Sequence, residues 1–121
     1  MLCELEADAG GGSCDPDSDP TTVEHILPEN PSGAWDEGFP QKSWDASVCR
    51  IGNLTLMEAS QNRRVGNSEY LEKVAAYRAS ACALSKAVAE DAPERWTPEL
   101  LDARQRRLAR RAVHLWRADF A

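Results

Sequence analysis

The side chains best suited to chemistry fall in two short segments of this chain. They are Val23-Glu24-His25-Ile26-Leu27-Pro28 and Ile51-Gly52-Asn53-Leu54-Thr55-Leu56, the second followed by Asn62-Arg63. A histidine is the usual side chain for taking a proton near neutral pH. A carboxylate beside it offers a hard oxygen of the kind that suits Mg2+. The carboxamides of Asn53 and Asn62 add oxygens that serve as ligands or as hydrogen-bond partners. An acid, a base and two amides are the parts of a metal-dependent phosphodiesterase: the cation neutralises charge on the phosphoryl group and the leaving oxygen, and the imidazole activates water. Each residue also has a plainer use. His25 alone fits a half-buried structural role, Glu24 a solvated strand position, Asn53 a turn and Asn62 a helix cap. Only their combination raises the chemical reading above these.

The elements that must position them are short. Residues 21–27 read as a strand enriched in β-branched residues, closed by Pro28 and Pro31. Residues 51–57 read as a second strand, and a helical turn follows from about Glu58 to Arg64. Neighbours on a regular strand point to opposite faces, so Glu24 and His25 share one site only if the strand ends or twists there, as Pro28 favours. Residues 29–48 are irregular, and Trp35, Phe39 and Trp44 are expected to pin that loop to the core. Asn67 or Ser68 is placed to cap a helix with the stripe Tyr70, Val74, Tyr77 and Ala81, and helical pattern resumes as far as Ala89. Asn67 is read as a cap rather than a site residue. Thr97-Pro98-Glu99 is a strong helix start. From it Leu101, Leu108, Ala112 and Leu115 share a narrow arc, with Arg106, Arg110 and Arg117 on the far side. His114 lies on that arginine-bearing side and needs no function; the run Arg106-Arg107 and Arg110-Arg111 is expected to be a solvated helix face, and tracking a DNA backbone is its sharper alternative.

The residues so far resemble those of the HNH, or ββα-metal, nucleases. That pattern has an acidic residue and His at the end of one strand, Asn at the start of the next, and His or Asn on the following helix. Here Glu24-His25, Asn53 and Asn62 stand at those positions, with Asn62 nine positions after Asn53. The sequence is more specifically similar to the C-terminal nuclease domain of GmrSD-type modification-dependent restriction endonucleases. Glu24-His25-Ile26-Leu27-Pro28, Trp35 and Trp44, Gly52-Asn53-Leu54-Thr55-Leu56, Asn62-Arg63, Gly66-Asn67, Tyr77-x-x-Ser80 and Trp96-Thr97-Pro98-Glu99 follow in that family's order over roughly residues 20–117. The sequence departs from many HNH nucleases in having Glu24 for Asp and Asn62 for His.

The resemblance implies an α+β fold with a ββα-metal (HNH/His-Me finger) core and additional C-terminal helices. It divides the chain into an N-terminal fragment with a flexible acidic loop over 1–20 and a nuclease domain over 21–121, with its ββα core at about 21–67 and helical support at 68–121. It implies that His25 is the general base, that Asn53 braces and orients it, and that Glu24 and Asn62 bind Mg2+ or Mn2+. Arg63 and Arg64 would meet phosphate. The implied substrate is DNA, with modified cytosines as the special case, and the implied partner is an N-terminal nucleotide-dependent domain or subunit not contained in this chain. Residues 1–8 look like a cut end.

Composition narrows the alternatives. The 121 residues fit one domain, and no apolar run approaches the roughly 18 needed to span a bilayer. The start lacks the basic and apolar regions of a signal peptide, so a cytoplasmic protein is expected. The formal charge of −6 argues against a simple basic nucleic-acid binder, but it is unevenly spread. Residues 1–50 hold 11 acidic side chains against two basic ones, and residues 51–121 hold nine against twelve. Cys3, Cys14, Cys49 and Cys82 form no C-x-x-C pair, so a cysteine zinc site is not expected. Three rival functions remain: a non-catalytic binding or assembly module on the same fold, an RNA-directed nuclease, and a protein–protein module built on the terminal helices.

Overall fold

A computed structural model describes residues 2–10 and 20–120, with side chains as far as Arg117. Most of the acidic loop expected before residue 20 lies outside the described residues. Helix α1 (Leu2–Asp8) is followed by strand β1 (Thr21–His25), the short helix α2 (Trp44–Ser47) and strand β2 (Leu54–Glu58). Four further helices follow: α3 (Ala59–Val65), α4 (Tyr70–Ala79), α5 (Ala83–Asp91) and α6 (Pro98–Phe120). The architecture is α+β, helices around one two-stranded sheet.

β1 and β2 pair antiparallel, with Thr21 opposite Glu58, Val23 opposite Leu56 and His25 opposite Leu54. β2 is buried on both faces. Met57 joins a core with Ile26, Leu27, Phe39, Val74 and Tyr77, whereas Leu56 joins a second cluster with Leu5, Leu84 and Leu108. Both faces of so small a sheet are therefore covered by helices, which supplies the burial that two strands alone lack.

The helix starts show why local sequence succeeded in one place and failed in others. Thr97 Oγ1 accepts the Leu100 N–H at 3.2 Å, an N-cap where one was expected. α4, by contrast, begins at Tyr70 with Glu69 before it, so neither Asn67 nor Ser68 caps it. Its stripe Tyr70, Val74 and Tyr77 is buried, but Ala81 lies beyond the helix and is exposed. The reason is Glu58 at the end of β2, whose carboxylate accepts the Ser80 hydroxyl and the Ala81 N–H and so ends α4 before Ala81.

α5 is capped from far away. Its first two N–H groups, of Ala83 and Leu84, donate to the two carboxylate oxygens of Glu6 at 2.6 and 2.8 Å. A carboxylate at a helix start satisfies orphan donors and complements the dipole. Glu6 is buried on α1, and Asp8 of the same helix pairs with Arg111 of α6 at 2.6 Å. The first helix is thus held by the fifth and the sixth.

Candidate active site at the end of strand β1

β1 stops at His25, two residues earlier than the sequence pattern predicts, and the cause is Asn53. Its Oδ1 accepts the Leu27 N–H at 2.8 Å, and its Nδ2 donates to the Leu27 carbonyl at 3.0 Å and the Val48 carbonyl at 2.9 Å. The Ile26 N–H goes to the Asn53 backbone carbonyl at 2.9 Å. One fully buried amide therefore replaces the sheet ladder and turns the chain immediately after His25. Trp96 donates its indole N–H to the same Oδ1 at 3.1 Å. Asn53 braces the segment behind the histidine and does not line the cleft in which His25 sits.

Asn53 is itself positioned by α6. The expected strand at 51–57 opens instead with a 3-10 turn, Ile51–Asn53, before β2 begins at Leu54. Arg104 is buried against it and donates from Nη1 to the carbonyls of Gly52 and Leu54 at 2.9 and 2.7 Å. Burial lowers the Arg104 guanidinium to about 10. Gly52 is required by close approach: a Cβ there would lie 2.6 Å from the Leu101 carbonyl oxygen.

The turn lets Glu24 and His25 reach one place by different routes. Glu24, opposite Thr55, points inward and is 3 % exposed. The Lys73 ammonium lies 3.2 Å from its Oε2, and the Tyr77 hydroxyl donates to the same oxygen at 2.9 Å. Lys73 also donates to the His25 carbonyl at 2.7 Å and sits 5.8 Å from the centre of the Trp35 ring. Burial pushes the Glu24 carboxyl up, and Lys73, Tyr77 and His25 offset part of that rise. The same burial pulls the Lys73 ammonium down and drives the Tyr77 phenol well up.

Asn62 comes from the middle of α3, so it is not a cap. Its Nδ2 donates to Thr22 Oγ1 and to the Val23 carbonyl, both at 2.9 Å, which ties α3 to β1. A shallow cleft is lined by Glu24, His25, Pro28, Glu29, Asn30, Asn62, Gly66 and Asn67. The His25 side chain is 26 % exposed there, with Nδ1 3.6 Å from the Glu29 carboxylate. Asn67, expected as a cap, instead lines this cleft and donates to the Asn30 carbonyl at 3.3 Å. Arg63 and Arg64 are exposed in the last turn of α3, beside Asn62 but outside the cleft lining.

Glu24, His25 and Asn62 therefore meet at one cleft, with Asn53 behind it. Lys73 and Tyr77 were not singled out as site residues from sequence. The available signal was a lysine, at Lys73, on the same helical face as Tyr70, Val74 and Tyr77, where a charge must find a partner.

Among the described residues no group of three or more His, Cys, Asp or Glu side chains gathers to hold a metal ion. A cation at this cleft would rest on one carboxylate and on amide oxygens. Those donors fit Mg2+, which takes hard oxygens, needs only one or two carboxylates and keeps several waters. Lys73 and Tyr77 both engage Oε2 of Glu24, and Asn62 commits its amide hydrogens to β1, so Glu24 Oε1 and Asn62 Oδ1 are the atoms that would face a cation.

No described helix is long and apolar enough to cross a membrane. Comparison with curated proteins and with solved structures gave no match. A family model described as the C-terminal domain of GmrSD restriction endonucleases matches residues 1–111, from α1 through most of α6. The chain belongs to that family of restriction endonuclease C-terminal domains.

Proposed function

We propose that this chain is the nuclease part of a restriction system and hydrolyses DNA phosphodiester bonds in a metal-dependent way, with modified DNA as its target. The observation that carries the reading is the meeting of Glu24, His25 and Asn62 at one cleft, with the imidazole open to solvent. Its HNH character rests on the order β1, β2, α3 and on these side chains. Glu24 Oε1 and Asn62 Oδ1 would hold Mg2+ or Mn2+. The ion, when bound, supplies positive charge against the phosphoryl and leaving oxygens.

The chain's own residues do the rest. His25 takes the proton of the attacking water, and the Glu29 carboxylate lies 3.6 Å from its Nδ1. Lys73 holds the His25 carbonyl and Asn53 holds Leu27 just beyond it, so the ring needs little reorganisation to act. Arg63 and Arg64 stand beside Asn62 to meet the phosphates flanking the cleaved bond. The products are a 5′-phosphate and a 3′-hydroxyl. Recognition of modified bases would come from a nucleotide-dependent partner domain or subunit, in the cytoplasm.

One observation favours a second reading, a non-catalytic module on the same fold: Lys73 already compensates the charge of Glu24. Plasmid nicking separates the two. Cutting with Mg2+ or Mn2+ that stops on chelation and is absent in His25→Ala supports the nuclease. Absence of both cutting and divalent-ion binding by the wild-type chain supports the module.

A further inference from the structure

We infer that the outer face of α6 is a docking surface for the sugar-phosphate backbone of duplex DNA, separate from the cleft at His25. Between Asp102 and Asp119 the sequence has no acidic residue and six arginines. Three are used inside the molecule: Arg104 on backbone carbonyls, Arg107 on Asp91 at 2.9 Å and Arg111 on Asp8 at 2.6 Å. Arg106, Arg110 and Arg117 remain, all exposed, and none meets a carboxylate among the described residues. Arg110 Nε touches only the carbonyl of Arg106 in its own helix, at 3.4 Å.

These three are not scattered. At about 100° per residue, positions 106, 110 and 117 lie within about 40° of one another, and the arc is opposite the buried Leu101, Arg104 and Leu108. At 1.5 Å per residue the row spans about 16 Å. Arg110, Val113, His114 and Arg117 line a surface depression along it. The chain as a whole carries a net charge of −6, so this row is a local reversal of sign. A straight row of guanidinium forks, each able to grip phosphate with two hydrogen bonds, complements a regular polyanion. Duplex DNA is the polyanion the proposed function calls for, and the inference rests on that reading for its choice of ligand. The contact is blind to sequence and sets position rather than specificity.

The test is DNA binding without cutting. The affinity of the 121-residue chain for a short fluorescent duplex is measured by anisotropy across a salt series, in chelator, so that no metal-dependent cleavage intervenes. Replacing Arg106, Arg110 and Arg117 together by Ala is expected to weaken binding by about tenfold or more and to reduce the slope of log affinity against log salt by about 2 to 3. The matching triple Arg→Lys variant is expected to retain the slope, and circular dichroism shows whether both remain folded. Equal affinity and slope in the wild-type and Ala variants would overturn the inference. So would a loss of binding confined to single-stranded RNA. Failure of the nuclease reading is separate: it appears in metal-dependent nicking, which this assay does not use.

Discussion

Lys73 Nζ and Glu24 Oε2 lie 3.2 Å apart with side chains 0 % and 3 % exposed, so an ion pair is buried directly beneath the candidate site. Removing one partner of such a pair strands the other charge, which costs about 3–5 kcal/mol. Lys73→Met is expected to lose stability of that order in denaturant unfolding. Adding Glu24→Gln to it should restore a substantial part. A neutral Lys73→Met would mean that the pair does not carry a stranded charge.

Asn53→Ala takes the partners from the Leu27 N–H and C=O and from the Trp96 indole in a single step. Each buried group left unpaired costs about 1–3 kcal/mol, so a loss of about 3 kcal/mol or more is expected. Amide exchange at Leu27 should rise with it. Protection of Leu27 equal to wild type would show that the turn after His25 does not depend on this side chain.

Gly52 and Gly33 form an internal control. A Cβ at Gly52 would meet the Leu101 carbonyl oxygen at 2.6 Å and Gln105 Cβ at 2.9 Å, whereas one at Gly33 meets nothing within 4 Å. Gly52→Ala is expected to cost about 1–3 kcal/mol, and Gly33→Ala almost nothing. Thermal unfolding of the two variants side by side checks this; equal midpoints would contradict the close packing of α6 on the turn.

His25→Ala should leave the fold standing, since the imidazole is partly exposed and the braces of this turn act on the backbone around it. Its stability is expected to stay within about 1 kcal/mol of wild type, while metal-dependent nicking of plasmid disappears. Nicking at the wild-type rate by the purified variant would remove His25 from the reaction.

Acid should loosen α1. Arg111 donates to both oxygens of Asp8 and holds that carboxyl below its ordinary value of 3.8. A depressed folded-state pKa contributes stability above the unfolded value and loses it as pH falls through the folded one. Amide protection of α1 is therefore expected to fall as the solution is acidified below pH 3.8, and Asp8→Asn should lack that step. The same acid step in Asp8→Asn would assign it elsewhere.

What sequence revealed of this molecule depended on range. The start of α6 was legible because Thr97, Pro98 and Glu99 state it within three residues. Glu24, His25 and Asn62 stood out in the sequence because an acid, a base and an amide in that order resemble a known site pattern, and the fold brings them to one cleft. The early end of β1 was not, since it depends on a buried amide 26 residues further along. The cap of α5 was still less so, because Glu6 lies 77 residues before the first N–H it accepts. Lys73 and Arg104 fell between these cases. Each sits on an apolar helical face, visible in the pattern, but only the fold shows which carbonyls and carboxylate they serve.

The clasp of Glu6 on α5 makes the amino end a structural keystone. Trimming the first ten residues would bare the opening turn of one helix, unpair Arg111 on another and uncover Leu56 and Leu108 beneath. Any shortened version designed around residues 21–121 alone would start with a wounded interior, and its failure to cut would say nothing about His25.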